Sequence, residues 1–207
     1  MSLSSSDEAM SKNENPSATP RLPIGPGTFV AIGGASGVGK DSLIRHAREN
    51  LGSDPRFYFV RRTITRPPEA TEDHFSVDES GFAQRAAAGA FAISWDAHGL
   101  RYGLPRDIDD AIATGRVVVA NISRAVLPQL KHRYANVLAI EITASRATIH
   151  DRLQARNRET PEQVAERLAR PPATAHADWV RLDNDRPLAE SGAALISLLE
   201  ACLVGPA

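Results

Sequence analysis

The chain has 207 residues, 42% of them hydrophobic, and its 24 lysines and arginines almost balance 25 aspartates and glutamates. This length and composition predict one globular domain with a sizeable core, and the balanced charge gives no reason to expect nucleic acid or an anionic membrane as a partner. Cys202 is the only cysteine, so a disulfide within the chain is impossible and a reducing compartment fits. Because no apolar run reaches membrane-spanning length and the N-terminus has no signal-peptide core, we expect a soluble, cytoplasmic protein.

The first 25 residues are rich in Ser, Asn, Glu and Pro, and they contain almost nothing to bury. This composition predicts a disordered tail, so the folded domain is expected to comprise residues 26–207. An apolar run at 28–32 predicts the first strand, and a helical pattern at 41–50 predicts the helix that follows.

The segment between that strand and that helix matches the phosphate-binding pattern G-x-x-x-x-G-K, from Gly34 to Lys40. Glycines allow successive backbone N–H groups to surround phosphate oxygens, and Lys40 can reach the β- and γ-phosphates. The alternative is a glycine-rich turn with an incidental lysine, which the intact spacing and flanking elements disfavour. We therefore predict that ATP binds here and that Lys40 is catalytic. The predicted nucleotide-binding residues of this segment are Gly34, Ala35, Ser36, Gly37, Val38, Gly39, Lys40, Asp41 and Ser42.

The residue after the lysine in such loops is usually a Ser or Thr that binds Mg²⁺, whereas here it is Asp41, with Ser42 one place later. Asp41 could act on a metal-bound water, or it could simply be favourable at a helix N-terminus. Both interpretations stay open, so we expect Mg²⁺ to accompany ATP but assign no metal ligand.

Strands and helices alternate through the rest of the chain. Apolar runs predict strands at 57–60, 117–120, 137–142 and 179–182, and helical patterns occur at 105–114, 123–132, 145–155, 160–170 and 187–204. The continuous apolar character of two of these strands is typical of a sheet covered on both faces. We therefore predict an α/β domain of the P-loop NTPase fold, with a mainly parallel sheet flanked by helices.

Residues 62–103 break this alternation with turns, polar groups and short extended segments at 74–77 and 91–95. They are predicted to form an inserted subdomain that binds the acceptor substrate.

The insertion contains polar side chains suited to an anionic acceptor. Three arginines, Arg61, Arg62 and Arg66, leave the second core strand, which would aim some of them at an anionic substrate. The sequence around His98 and Tyr102 predicts a glycine-flanked turn. A Tyr on such a turn often packs for structural reasons alone.

A second cationic cluster begins at Arg152, continues with Arg156 and Arg158, and precedes a helix start at Thr160. We predict a lid at about 152–160 that closes over the triphosphate, because guanidinium groups can neutralise the transferring phosphoryl group. In this prediction Arg152 and Arg156 bind the nucleotide, and Arg156 and Arg167 are catalytic. A solvated helix face is the alternative.

Several motifs resemble the guanylate kinase family. They are Thr65 to Pro68, Trp95, His98-Gly99 and Tyr102-Gly103 in the acceptor region, and Arg152 through Arg167 in the lid. The residues that read guanine in that family are replaced here, one of them by Ser94 and a second within 121–124. Glu69 and Asp73 also depart from the family's acceptor-binding Arg and Tyr. The guanine-reading residues of the family are acidic, and a site that lacks their carboxylates disfavours GMP as the acceptor.

The chain more closely resembles the ribose 1,5-bisphosphate phosphokinases of the carbon–phosphorus lyase pathway. The shared motifs are Gly39 to Ser42, Arg62 to Arg66, Glu72 to His74, Trp95 to Gly103 and Asn121 to Arg124. This resemblance implies phosphorylation of ribose 1,5-bisphosphate by ATP, giving 5-phosphoribosyl 1-diphosphate and ADP. It also implies the acceptor ligands Arg62, Arg66, His74, His98, Tyr102 and Arg124, although a structural role is an equal alternative for each histidine.

Two further alternatives stay open. The first is a nucleoside monophosphate kinase with an altered base preference. The second is a guanylate-kinase-like interaction module without activity, which the intact Gly34, Gly39 and Lys40 disfavour. The oligomeric state is also open, a homodimer included.

Overall fold

The computed structural model describes residues 22–67, 73–156 and 178–203, without the side chains of residues 155 and 156. Most of the predicted tail, residues 157–160 of the predicted lid and the predicted helix at 160–170 therefore lie outside the described residues. In chain order the elements are β1 (Ile24–Gly33), α1 (Lys40–Leu51), β2 (Phe57–Phe59), β3 (Arg62–Ile64), β4 (His74–Ser76), α2 (Glu79–Ala87), β5 (Phe91–Ala97), β6 (Leu100–Pro105), α3 (Ile108–Ala113), β7 (Val117–Asn121), a 3₁₀ turn (Arg124–Val126), α4 (Leu127–Arg133), β8 (Tyr134–Thr143), α5 (Arg146–Arg156), β9 (Trp179–Asp183) and α6 (Leu188–Ala201).

The main sheet has five strands in the order β2-β7-β1-β8-β9, and all its pairings are parallel. Each predicted core strand occurs, which confirms the α/β fold with a parallel sheet. Phe29 and Ala31 of β1 pack in one apolar cluster, whereas Val30 and Ile32 pack in another. Alternate residues of a strand point to opposite faces, so this sheet is buried on both sides, as the continuous apolar runs predicted.

A second sheet, of order β4-β3-β6-β5, occupies the region between β2 and α3. Its β3–β4 pairing is parallel, and its other two pairings are antiparallel. One expectation about this region was wrong, and one helix was missed. Tyr102 lies within β6 rather than on a turn, and helix α2 was not predicted. Glycine and serine near the start of α2 resemble turn residues, but the Asp78 side chain caps the helix by accepting a hydrogen bond from Gly81 N at 2.7 Å.

Parallel strands place their carboxyl ends at one edge of a sheet, which is where ligands bind in open α/β folds. Four of the five strands of the main sheet, β1, β7, β8 and β9, end at this edge with Gly33, Asn121, Thr143 and Asp183. Within the described ranges, no helix combines the length and apolarity needed to cross a membrane.

A buried polar cluster joins α3 to the end of α4 and the start of β8. Asp109 of α3, which is 9% exposed, accepts hydrogen bonds from Arg133 Nε and Tyr134 Oη, each at 2.9 Å. Arg106 Nε lies 3.0 Å from the second carboxylate oxygen. Burial alone would raise the pKa of Asp109, but these hydrogen bonds and positive charges outweigh burial and hold that pKa below its ordinary value.

We expect Asp109→Asn to lower the free energy of unfolding by about 2–4 kcal/mol, because it leaves Arg133 partly buried without its counter-charge. The pKa of Asp109 is lower in the folded chain, so its stabilisation exists above the unfolded-state pKa and is lost as pH falls through the folded-state value. The stability difference between wild type and variant should therefore shrink below about pH 4. Urea unfolding at pH 7 and at acidic pH measures this, with the exposed neighbour Asp110→Asn as the control. Equal stability of Asp109→Asn and Asp110→Asn at pH 7 would contradict the assignment.

Candidate active site

The glycine-rich segment forms a tight loop between β1 and α1. Gly34, Gly37 and Gly39 have φ of 142°, 86° and 93°, a region that favours glycine. At Gly34 a Cβ atom would also lie 2.4 Å from the Ile142 carbonyl oxygen. Any other residue would be strained at these positions, and the lack of side chains lets the loop's N–H groups approach a bound phosphate closely.

Lys40 bends back over this loop. Its Nζ donates hydrogen bonds to the carbonyl oxygens of Gly34 at 3.0 Å and Ala35 at 2.8 Å. The ammonium group therefore lies beside the first residues of the loop, where a triphosphate would add oxygen acceptors. The role of Lys40 at the β- and γ-phosphates stays a prediction.

Two residues, Asn184 just after β9 and Arg152 of α5, hold the loop through its Val38 carbonyl oxygen, and we call them the clamp. The Val38 carbonyl oxygen accepts hydrogen bonds from Asn184 Nδ2 at 2.7 Å and from Arg152 Nη1 at 3.0 Å. Arg152 Nη2 also donates to the Asn184 carbonyl oxygen at 2.7 Å. Arg152, predicted to bind the nucleotide, thus positions the phosphate loop in this structure. Asn184 is 2% exposed and was not predicted, and the polar residues after β9 were its only signal in the sequence.

Asp41 contacts the end of a neighbouring strand. Asn121 Nδ2 donates a hydrogen bond to Asp41 Oδ1 at 2.9 Å, which ties the first turn of α1 to the carboxyl end of β7. The contact gives Asp41 a defined orientation beside the phosphate loop, beyond a general effect on the helix N-terminus.

Three of the predicted acceptor ligands come together in the second sheet. Arg62 and His74 are 9% and 5% exposed, and they are register partners on the parallel strands β3 and β4. The Arg62 guanidinium carbon lies 5.6 Å from the centre of the Tyr102 ring. The Trp95 ring stacks on that of Tyr102, with 5.2 Å between the ring centres and an interplanar angle of 6°. We call Arg62, His74, Tyr102 and Trp95 the acceptor cluster.

The structure separates Arg61 from the other arginines of this region. Its Nε lies 2.6 Å from Asp73 Oδ1, and Arg48 of α1 pairs with the second oxygen of the same carboxylate. The hydrogen bond from Arg48 lowers the pKa of Asp73, helped by the positive charge of Arg61. Arg61 is therefore neutralised within the protein. Arg66, two residues beyond β3, is half-buried.

His98 lies at the exposed tip of the β5–β6 hairpin. His98 and Gly99 have φ of 53° and 71°, and a two-residue hairpin turn requires such left-handed torsions. The turn by itself accounts for this pair, so the acceptor role of His98 stays a prediction. Arg124, the sixth predicted ligand, follows β7 and pairs with Glu141 at 3.4 Å. The Arg156 side chain and Arg167 lie outside the described residues, so their catalytic roles stay predictions.

The overall architecture is shared with a guanylate kinase. The crystal structure of the Anaplasma phagocytophilum enzyme matches with a TM-score of 0.60 over 87% of this chain and 88% of that one, at 16% sequence identity. This identity is low enough that the likeness shows the fold alone. With the glycine loop and Lys40 in place at the sheet edge, the molecule is a P-loop protein of guanylate-kinase-like fold.

Sequence relatives define the family. Ribose 1,5-bisphosphate phosphokinase PhnN of Pseudofrankia inefficax is 47% identical over 177 residues, which are 85% of this chain and 92% of the relative. The protein of the same name from Brucella melitensis is 45% identical over 181 residues, 86% of this chain and 94% of the relative. The chain therefore belongs to the ribose 1,5-bisphosphate phosphokinase PhnN family. No family model matches it.

Proposed function

We propose that this kinase transfers the γ-phosphoryl group of ATP to ribose 1,5-bisphosphate, forming 5-phosphoribosyl 1-diphosphate and ADP. The observation that carries the proposal is an intact phosphate loop combined with a cationic and aromatic acceptor cluster that has no guanine-reading carboxylate. The resemblance aligns Ser94 with a guanine-reading carboxylate of guanylate kinases. Ser94 is exposed on β5. The names of the relatives support the same substrate.

The proposed chemistry needs positioning more than proton transfer. An oxygen of the acceptor's 1-phosphate attacks the γ-phosphorus, and the bond from that phosphorus to the bridging oxygen of ADP breaks. The attacking oxygen is already ionised at neutral pH, so no general base is required. Lys40 would stabilise charge on the β- and γ-phosphates, and Arg62, Arg66 and Tyr102 would hold the acceptor's phosphates.

Mg²⁺ fits the residues beside the loop. It is a hard cation that keeps several waters and prefers oxygen ligands. The Asp41 carboxylate and the Asn121 amide oxygen are such ligands, and their hydrogen bond orients both groups. In our proposal these two residues hold the metal, directly or through its waters, and Mg²⁺ when bound neutralises the β- and γ-phosphate oxygens. The proposed partners are the small molecules ATP and ribose 1,5-bisphosphate. The cytoplasmic location stays a prediction, and the oligomeric state stays open.

An acceptor screen tests the proposal. Purified enzyme with ATP and Mg²⁺ is given ribose 1,5-bisphosphate, GMP, AMP, dTMP or CMP, and the products are identified by ³¹P NMR. We expect 5-phosphoribosyl 1-diphosphate from the first, and a kcat/KM for GMP about 10²-fold lower, because the guanine edge lacks polar partners. A Lys40→Ala preparation controls for contaminating kinases. Efficient phosphorylation of GMP without formation of 5-phosphoribosyl 1-diphosphate would refute the proposal.

A further inference from the structure

A buried acidic side chain faces Arg124 at the carboxyl edge of the main sheet. Glu141 lies on β8 in register with Gly33, the last residue of β1 before the phosphate loop. Its side chain is 6% exposed, and its Oε1 lies 3.4 Å from Arg124 Nε. β8 thus places one buried carboxylate beside the residue that precedes the phosphate loop.

The burial of Glu141 requires a positive partner. Removing a carboxylate from water costs several kcal/mol unless a counter-charge compensates it. Within the described part of the chain, Arg124 is the only cation at ion-pair distance. Arg181, the register partner of Glu141 on β9, is exposed and does not pair with it there. Glu141 and Arg124 therefore depend on each other.

Arg124 contacts Glu141 through Nε, and its terminal nitrogens Nη1 and Nη2 stay accessible. Its Nε is buried without a hydrogen bond, whereas 27% of the side chain is exposed. No described residue forms a hydrogen bond with Arg124 Nη1 or Nη2. Neither nitrogen is a buried atom without a partner, so both are accessible. These two nitrogens can thus donate four N–H groups to a ligand, in the fork geometry that suits phosphate.

The Arg124 side chain also passes close to Gly33, the residue that precedes the phosphate loop. A Cβ atom on Gly33 would lie 3.6 Å from Arg124 Cγ and 2.6 Å from the Trp179 ring. A side chain at Gly33 would therefore collide with the Trp179 ring, whereas Arg124 Cγ lies at ordinary van der Waals distance from that position. The Arg124 guanidinium therefore lies beside the residue that leads into the phosphate loop, at the carboxyl edge of the sheet, where ligands bind in open α/β folds.

We propose that Glu141 is a positioning residue, which holds Arg124 so that its outer N–H groups bind the reacting phosphate of the acceptor. The inference rests on the proposed function. Because Glu141 acts through Arg124, its loss should affect acceptor binding and turnover while ATP binding is retained. A merely structural carboxylate would alter both substrates together, or neither.

The test is a double-mutant cycle of Glu141→Gln and Arg124→Gln. Glu141→Gln is expected to lower kcat/KM for ribose 1,5-bisphosphate on the order of tenfold, through misplacement of the guanidinium. Its Kd for ATP, measured by calorimetry, should stay within about twofold of wild type. In the Arg124→Gln background the second substitution should have no further effect. Arg181→Gln, next to Glu141 but exposed, is the matched control and should behave as wild type.

The outcomes separate this inference from the proposed function. Each variant is assayed with ribose 1,5-bisphosphate and with GMP, so the reacting phosphate is tested on whichever acceptor wild type uses. Wild type without activity on the first acceptor refutes the function alone. An unchanged acceptor KM and kcat in Glu141→Gln, or an equal further loss in the Arg124→Gln background, overturns the inference. Should the glutamine variant not fold, Glu141→Asp keeps the charge but withdraws it by one methylene, and it should show the same acceptor-selective loss.

Discussion

Replacement of Lys40 by alanine is expected to reduce kcat by about 10³-fold or more, while the protein stays folded. Lys40 is the cation held over the loop by the Gly34 and Ala35 carbonyl oxygens. When the γ-phosphoryl group is transferred, negative charge shifts to the oxygens that this ammonium would contact, so its contribution is largest in the transition state. Its removal takes no apolar side chain from the core. Steady-state kinetics with thermal unfolding of the same preparation measures both effects.

Lys131→Ala is the matched control for this experiment. Lys131 is 46% exposed and pairs with Asp178 at 2.8 Å on the surface, and such pairs contribute little. The control should retain wild-type turnover and stability. Near-normal turnover in purified Lys40→Ala would overturn the assignment of the phosphate loop.

Gly39→Ala is expected to lower kcat/KM for ATP by about 10³-fold, because it both misplaces the loop and turns backbone donors away from phosphate. Gly39 has φ 93°, and a Cβ atom there would lie 2.5 Å from Asn184 Nδ2 and 3.3 Å from Arg152 Nη1. Asn184 is buried and cannot move aside without breaking its hydrogen bond to Val38. The substitution therefore forces the clamp and the loop apart. ATP titration by calorimetry and initial-rate kinetics measure the loss.

Gly89→Ala separates backbone strain from this local clash. Gly89 lies in the turn after α2 with φ 69°, but a Cβ atom added there would meet nothing within 4 Å. The control should cost about 1 kcal/mol of stability and leave ATP affinity unchanged. If Gly39→Ala binds ATP as well as Gly89→Ala does, the clamp does not position the loop.

The parts of the protein that depend on local sequence were predictable. The loop from Gly34 to Lys40 needs glycine at positive φ and a lysine at one spacing, so a few adjacent residues specify it. The core strands are continuous apolar runs, and their alternation with helices determines a parallel sheet. β1 nevertheless begins at Ile24 rather than at residue 28, because pairing with β8 extends it past a register shift.

Within the candidate site, sequence spacing identified residue types but not their partners. Arg61 and Arg62 are adjacent and equally suited to an anion, yet only the fold pairs Arg61 with Asp73 and places Arg62 beside Tyr102. The nucleotide-binding role of Arg152 stays a prediction, and the sequence could not show that the Val38 and Asn184 carbonyl oxygens lie within reach of this side chain. Each assignment depends on contacts between residues far apart in the chain.

The sequence by itself determined the parallel α/β fold, the phosphate loop and the class of reaction, since these depend on apolar periodicity and on short motifs whose backbone geometry allows few residues. Only the tertiary structure decided which polar groups support that loop. Asn184, 146 positions after Val38, holds its carbonyl oxygen, and Glu141 lies beside Arg124. The physical reason is that a buried polar group is stable only with a partner, and strand order in the sheet decides which partner that is.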